Sequence, residues 1–383
     1  MAFGRARDWP GVWLAWRDRL AGDPVFRRWA GRFPLTRWIA RRHARALFDL
    51  NAGFVYSQIL QACVRLDLFS PLAGGPLPLS ALARHCQLEP ERCAVLLRAA
   101  VALRLLAMAA PDSFRLGPLG AALLDNPAVV GMVRHHALFY RDLQDPVALL
   151  QGQETTGLAS YWSYVDAPPE SLGAAEGQRP QVADYSHLMT VSQVLVADQV
   201  LDAYPVGRHR TLLDVGGGEG AFVREALRRH PRLQGWVFDL PAVSARSTDQ
   251  PLPPECAGRL HRHAGDFRVT PLPRGADLIT LVRVLHDHHD DVVRALLRAV
   301  FQALPPGGVL LIAEPLAGTP GAEPMGDAYF GLYFLAMGSG RPRRFERYRE
   351  LLLEAGFAAV RQHATAIPLQ ASLIEARVAA TPV

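Results

Sequence analysis

Apolar residues recur three and four apart from Ala44 to about Leu106, the spacing of one helical face, and Pro76 to Pro78 interrupt the run. The pattern predicts a long helix through Leu68, a short one over Leu79 to Cys86, and a third opened by Glu89-Pro90-Glu91 and running to Leu106. Met108 to Leu116, divided by Pro111-Asp112, predict a small hairpin. Pro168, Pro169, Gly173, Gly177 and Pro180 make residues 166 to 184 a loop, and Tyr185 to Tyr204 read as a helix leading into a second domain. From Arg210 the period changes. Short apolar runs near 210–215, 234–239, 276–283 and 307–314 alternate with helical stretches near 219–230 and 290–304. That alternation predicts an α/β domain with a doubly wound parallel sheet, and ligands at the carboxyl ends of its strands.

The order helix, helix, hairpin before residue 116 has the outline of a winged helix. A DNA reader of that shape needs Arg and polar groups on its second helix. Cys93 to Val101 is apolar nearly all round, so that helix is expected to be buried, in a module for packing or dimerisation. The chain therefore divides into an arm over 1–47, an all-helical winged-helix-like domain over 48–200, and a Rossmann-like domain over 201–383.

Half of the 383 residues are hydrophobic, enough for two cores. Cys63, Cys86, Cys93 and Cys256 show no metal-type spacing and read as reduced thiols of a cytoplasmic protein. The opening residues are broken by Arg, Asp and Pro and lack the apolar core of a signal peptide. No run of about 18 uncharged apolar residues predicts a bilayer span. The net charge of +5 is unevenly placed. Residues 1 to 47 hold eleven Arg against three Asp, and five of the seven Trp. Arg with Trp in short amphipathic pieces suits the surface of a membrane, the inner or intracytoplasmic one, where rings sit at headgroup level and guanidinium groups meet anionic lipid. The alternative is a basic arm packed on the protein's own surface or on a second copy. Nucleic acid fits poorly, because the basic excess stops at the arm.

The chemistry gathers at strand ends. Thr211 to Val215 run apolar, apart from Asp214, into Gly216, Gly217 and Gly218, with a helix from Ala221. Glycine there lets backbone approach a nucleotide-like ligand. Gly216, Gly218 and Ala221 also satisfy a loose dinucleotide fingerprint. A nicotinamide dinucleotide would, however, meet repulsion from Asp214, whereas a cationic ligand such as S-adenosylmethionine would not. Asp239, ending the next apolar run, can accept hydrogen bonds from ribose hydroxyls. Asp266 beside Phe267 can hydrogen-bond an adenine and cover its face, or belong to a plain surface turn. His286, His288 and His289 with Asp287, Asp290 and Asp291 look metal-like, but their spacing on a strand-to-helix turn makes them diverge, so no metal is expected. Asp290 or Asp291 is read as the cap of the following helix. His286, just past a buried strand, is the natural general base, or else a satisfied turn histidine.

Asp214 to Gly220, Phe238 to Pro241, Gly265 to Phe267, Leu285 to Asp287, Leu304 to Pro315 and Arg341 to Phe357 occur in an order that resembles the S-adenosylmethionine-dependent O-methyltransferases. The resemblance spans nearly everything from Phe48 to Val383. It implies a winged-helix-like dimerisation domain, a class I methyltransferase sheet, a homodimer, and S-adenosylmethionine as cofactor. It also implies cofactor contacts at Gly216 and Asp239, an adenine site at Asp266 and Phe267, and Arg283 near the cofactor, where the family often has Lys. It makes His286 the catalytic base and Glu314 the acid that holds the ring's other nitrogen. Two positions depart from the family: His288 stands where Trp is frequent, and Pro342 where many plant members carry a second acid.

Within the family, the Trp/Arg-rich start and Ala46 to Gln58 are similar to the carotenoid hydroxyl methyltransferases of phototrophic bacteria. This implies a lipophilic substrate, an acyclic hydroxycarotenoid of the hydroxyneurosporene or demethylspheroidene type. An apolar pocket is expected around His135, His136, Phe139, Tyr185 and Met189. Remaining alternatives are a bacteriochlorophyll precursor as substrate, a nicotinamide-dependent dehydrogenase, and a winged-helix DNA-binding protein.

Overall fold

The computed structural model describes residues 9–153, 155–161, 193, 195–248 and 252–380. They form two compact units, Met1–Ala122 and Leu123–Val383.

The first unit holds helices α1 (Trp9–Gly22), α2 (Pro24–Arg32), α3 (Arg37–Arg65), α4 (Leu79–Cys86) and α5 (Pro90–Ala102). Asp23 caps α2 by accepting from the amides of Val25 and Phe26, which satisfies two donors that the first turn leaves free. Helix α3 begins seven residues before the predicted start and passes unbroken through residue 47. Strands β1 (Leu77–Pro78), β2 (Leu106–Ala110) and β3 (Ser113–Leu116) form a small antiparallel sheet in the order β1-β3-β2. The predicted hairpin is β2 and β3, with Asp112 at φ 53° in its turn. The prolines read only as a break supply its third strand, Leu77 pairing with Phe114. Helix α5 is not buried all round. Cys93, Ala94, Leu97 and Ala100 are covered, while Val95 is largely exposed. An evenly apolar composition does not say which side a neighbour covers.

The second unit is built on seven strands: β4 (Thr211–Val215), β5 (Gln234–Asp239), β6 (Leu260–Ala264), β7 (Leu278–Val282), β8 (Val309–Glu314), β9 (Ala359–His363) and β10 (Ser372–Arg377). Their order is β6-β5-β4-β7-β8-β10-β9. The first five are parallel. β10 runs antiparallel to both β8 and β9, so the sheet is mixed rather than wholly parallel. The unit's longer helices include α6 (Pro127–Asp142), α7 (Ala221–Arg229), α8 (Asp290–Ala303), α9 (Phe330–Met337) and α10 (Phe345–Ala355). Residues 195–203 are helical too, within the helix predicted to start at Tyr185. Tyr185 and Met189 themselves lie outside the described residues.

Alternation sends successive side chains to opposite faces. Leu213, Val215, Ile279, Leu281, Leu310 and Ile312 pack with α8 and α10. Leu212, Leu278, Val282, Leu311 and Ala313 pack with α7 and the helix over 195–203. Both faces are covered, so β7 and β8 are buried at every residue, as parallel strands between helices must be. Helix α8 meets the sheet through Val293, Leu296, Leu297 and Val300, spaced three and four apart. Among the described residues no helix is long and apolar enough to cross a membrane.

Candidate active site

Five parallel strands end along one edge. Val215 is level with Phe238, Asp239 with Ala264, and Val282 with Ala313. Backbone bonds continue the register beyond the strands, from Gly216 N to Phe238 O, Gly265 N to Asp239 O and Arg283 N to Ala313 O. This edge gathers the predicted residues Asp214, Gly216, Gly218, Asp239, Asp266, Phe267, Arg283, His286 and Glu314.

The glycine turn follows β4. Gly216 has φ 70°, and a Cβ there would meet the Val284 side chain at 2.8 Å, so only glycine fits both conformation and space. Asp239 ties the turn down: its Oδ2 accepts from Gly218 N at 2.6 Å and its Oδ1 from Leu240 N at 2.7 Å. Asp214 is fully buried. Its Oδ1 accepts from the Thr280 hydroxyl at 2.6 Å, and its Oδ2 has no hydrogen-bond partner. Burial pushes its carboxyl up to about 7; the Thr280 bond opposes this and the Asp239 charge reinforces it. An unpartnered carboxylate oxygen beside glycine backbone is a setting that a cationic ligand completes.

On the other side of β5, Arg268 holds Asp266 through paired bonds of 2.7 to 3.0 Å. Burial works to raise this carboxyl, and the Arg268 bonds and charge outweigh it, so it lies below the usual carboxylate range. Phe267 packs edge-on against His288, their rings 5.3 Å apart at 85°. The residue found at the frequent Trp position is thus still part of an aromatic pair. Burial, then the charges of Arg268 and Arg343, hold the His288 imidazole down at about 4.

The histidine turn follows β7. Arg283 leaves the strand at φ 59°, in the left-handed region that few non-glycine residues adopt. Leu285–Asp287 make one tight helical turn in which His286 is buried. Glu314, fully buried at the end of β8, accepts on Oε1 from the amides of Val284 at 3.1 Å, Leu285 at 2.6 Å and His286 at 3.2 Å. Its Oε2 accepts from the Tyr348 hydroxyl. The expected bond from Glu314 to the imidazole is not made. Nδ1 of His286 lies 3.8 Å from Oε2 and has no hydrogen-bond partner. The carboxylate is occupied by the backbone of the turn, so it holds His286 through the main chain. The nearer carboxylate is Asp287, whose Oδ1 is 3.3 Å from Nε2.

Burial, then the charges of Arg283, Arg343 and His288, hold His286 well below the usual histidine range. Burial and the Glu314 charge raise Asp287 well above the usual carboxylate range, with Arg283 opposing. Burial raises Glu314 too, against the Tyr348 bond and the Arg343 charge. The arrangement is a neutral imidazole flanked by two carboxyl groups, able to take a proton and share its charge. Asp290 does not cap α8 with its side chain. It is the first residue of that helix and binds Arg343 at 2.9 Å and Arg347 at 2.8 Å, where a negative charge also suits the helix dipole.

Aromatic rings line the other side of His286, with Phe334 at 4.9 Å and Phe330 at 6.0 Å. A π-helical turn, Pro324–Tyr329, leads into α9. His135 and His136 of α6 meet this segment ring to ring. Nε2 of His135 pairs with Tyr333 Oη at 2.9 Å, and Nε2 of His136 with Tyr329 Oη at 2.7 Å. Phe139 lies edge-on to both tyrosines. The polar tips satisfy one another, which leaves a mainly apolar wall. Sequence reading missed Thr280, Tyr348, Arg343 and the aromatic run Tyr329, Phe330, Tyr333 and Phe334. The closely spaced aromatics of that run were the available signal for the last group.

The chain matches the O-methyltransferase domain family over residues 140–358 and the O-methyltransferase dimerisation domain over residues 48–126. It is 42% identical over 359 residues to demethylspheroidene O-methyltransferase of Cereibacter sphaeroides, covering 94% of this chain and 93% of that one. It is also 42% identical over 345 residues to the enzyme of the same name from Rhodobacter capsulatus, covering 90% and 85%. Among solved structures it resembles human N-acetylserotonin methyltransferase in complex with S-adenosylmethionine, with a TM-score of 0.72 and 26% identity over 88% of this chain and 98% of that one. The chain belongs to the O-methyltransferase family. It is an S-adenosylmethionine-dependent O-methyltransferase of the Rossmann-like class I fold, which sets aside the dehydrogenase and DNA-binding alternatives.

Proposed function

We propose that the chain methylates a hydroxyl of an acyclic hydroxycarotenoid, with His286 as general base. One observation carries the chemistry: a buried, neutral imidazole between two carboxyl groups, facing Phe330 and Phe334. The 42% identity to two demethylspheroidene O-methyltransferases supports the substrate class. S-adenosylmethionine, when bound, supplies an electrophilic methyl group whose transfer leaves S-adenosylhomocysteine. The residues that would hold it are Asp214, Gly216, Gly218, Asp239, Asp266, Phe267 and Arg283. The unpartnered Asp214 Oδ2 fits its cationic character, and Asp239 stands at the end of β5, bonded to the glycine turn through Gly218 N.

An aliphatic alcohol is a very weak acid, so the base must take the proton as the carbon–oxygen bond forms. His286 receives it on the ring nitrogen that carries the lone pair. The imidazolium then lies within 4 Å of the Asp287 and Glu314 carboxyl groups, whose oxygens stabilise it. The wall made by His135, His136, Phe139, Tyr329 and Tyr333 would bind the polyene through ring faces. His286→Ala should lower turnover by roughly 10²–10⁴-fold with cofactor binding intact, and normal turnover would remove His286 as base. The direct test is transfer of labelled methyl to hydroxylated acyclic carotenoids, with tetrapyrrole precursors in parallel. Label in a carotenoid methyl ether supports the reading, and label only in the tetrapyrrole overturns the substrate.

Phe48, Leu50 and Phe54 are largely exposed on α3, within the matched dimerisation segment, which supports a homodimer; Phe54→Asp should yield monomers in light scattering. Trp13, Trp16, Trp29 and Trp38 are each more than half exposed among the arginines of α1 to α3, which supports peripheral contact with anionic lipid. Equal sedimentation with anionic and neutral vesicles would exclude that contact.

A further inference from the structure

The segment over 339–343 grips the histidine turn from the side opposite Glu314. Ser339 Oγ donates to Asp287 O at 2.7 Å, and Arg341 N donates to His286 O at 2.9 Å. The buried Arg343 guanidinium donates to Leu285 O at 2.8 Å, to His288 O at 2.6 Å, and to Asp290 Oδ1 at 2.9 Å. Every carbonyl from Leu285 to His288 thus has a donor from this one strap. Gly340 has φ 81°, and a Cβ there would lie 2.1 Å from His286 O, so the strap's close approach depends on glycine. The Arg343 guanidinium also lies 5.9 Å over the Tyr348 ring, whose hydroxyl bonds Glu314. Amides of the turn go to Glu314, carbonyls go to the strap, and Tyr348 joins the two holders.

We propose that Arg343 is a positioning residue for His286, fixing the base through the carbonyls of its turn rather than by touching its ring. The inference rests on His286 being the base. A planar fork is needed to reach two carbonyls and a carboxylate at once, and lysine cannot reproduce it.

The test is a double-mutant cycle on the full chain, scored by kcat and by KM for S-adenosylmethionine, with urea unfolding as a check on folding. Arg343→Lys should lower kcat by about 10–100-fold, as a displaced catalytic group does, with KM unchanged. In a His286→Asn background the same change should lower kcat no further. A rise in KM at constant kcat, unchanged kinetics, or an equal loss of kcat in both backgrounds overturns the proposal. Should Arg343→Lys unfold, Ser339→Ala takes its place. It deletes one bond and should cost about fivefold in kcat, again only when His286 is present. Wild-type turnover in His286→Asn alone overturns the base assignment itself, whatever the strap variants do.

Discussion

Two buried carboxylates stand beside the two turns of the site, and they are satisfied to different degrees. Glu314 has partners on both oxygens: three amides of the histidine turn and the Tyr348 hydroxyl. Asp214, on the neighbouring side of β7, has one oxygen bonded to Thr280 and one with no partner. Burial raises both carboxyls. The difference separates a carboxylate that completes the fold from one that keeps capacity for a ligand. A fully bonded buried charge rigidifies what surrounds it, whereas an unbonded one carries a desolvation cost that a cation can offset.

Substitution should break this comparison most sharply. Glu314→Ala leaves three amides and a hydroxyl without their acceptor and should destabilise the chain by about 3–5 kcal/mol, read in urea unfolding. Asp214→Asn removes the buried charge while keeping an acceptor for Thr280, so it should not lower stability at neutral pH, and it should weaken S-adenosylmethionine by about 10–100-fold, read by calorimetry. Equal effects of the two changes on stability would erase the distinction.

The pH dependence sharpens it. With Asp214 held at about 7 in the folded chain, the folded state binds a proton there that the unfolded state has already lost. This group therefore disfavours the free protein as pH rises from the ordinary carboxylate range to about 7, and adds nothing further above it. A cationic ligand prefers the ionised form, so affinity should rise about tenfold per pH unit below 7 and level off above it. The Asn variant should show no such rise. A flat profile in the unmodified chain would remove Asp214 from the binding of the cation.

A smaller effect belongs to Asp290. Its carboxyl is lowered to about 2; burial opposes the shift and the bonds from Arg347 and Arg343 cause it. The stability it supplies is complete above the ordinary carboxylate range and is lost as pH falls from about 4 toward 2. Asp290→Asn should remove about 1–2 kcal/mol at neutral pH, after allowing for partial solvent exposure, and flatten that acid limb of the unfolding curve. Since Asp290 also holds Arg343, its loss should lower kcat as well, by less than Arg343→Lys does.

Much of this architecture was legible from local pattern. The β4 turn announced itself because an apolar run with one acid leads into three consecutive glycines, and β4, β5, β7 and β8 follow an apolar rhythm, whereas β6, with His261, Arg262 and His263 at its centre, is polar. The hairpin of β9 and β10 did not. β10 carries Glu375 in its middle, and β9 is polar along most of its length. Those polar groups are tolerated because Glu375 bonds His363 at 2.6 Å and also binds Arg377, pairings visible only once the strands lie side by side. The same reason hid Tyr348 and Arg343. Each is one polar residue in an ordinary charged stretch until tertiary folding sets it against Glu314 or the carbonyls of a turn some 30 to 60 residues away in sequence.

The sequence by itself determined the class of fold, the glycine turn that suits a cationic cofactor, and the histidine that suits a base, because each depends on neighbouring residues and on the period of apolar positions. Only the tertiary structure decided how that histidine is held. Glu314 acts on the backbone instead of the ring, Asp287 is the nearer acid, and an arginine strap closes the turn. Hydrogen bonding is short-ranged and directional, so which groups satisfy one another depends on chain segments meeting in space, and no spacing along the chain encodes that meeting.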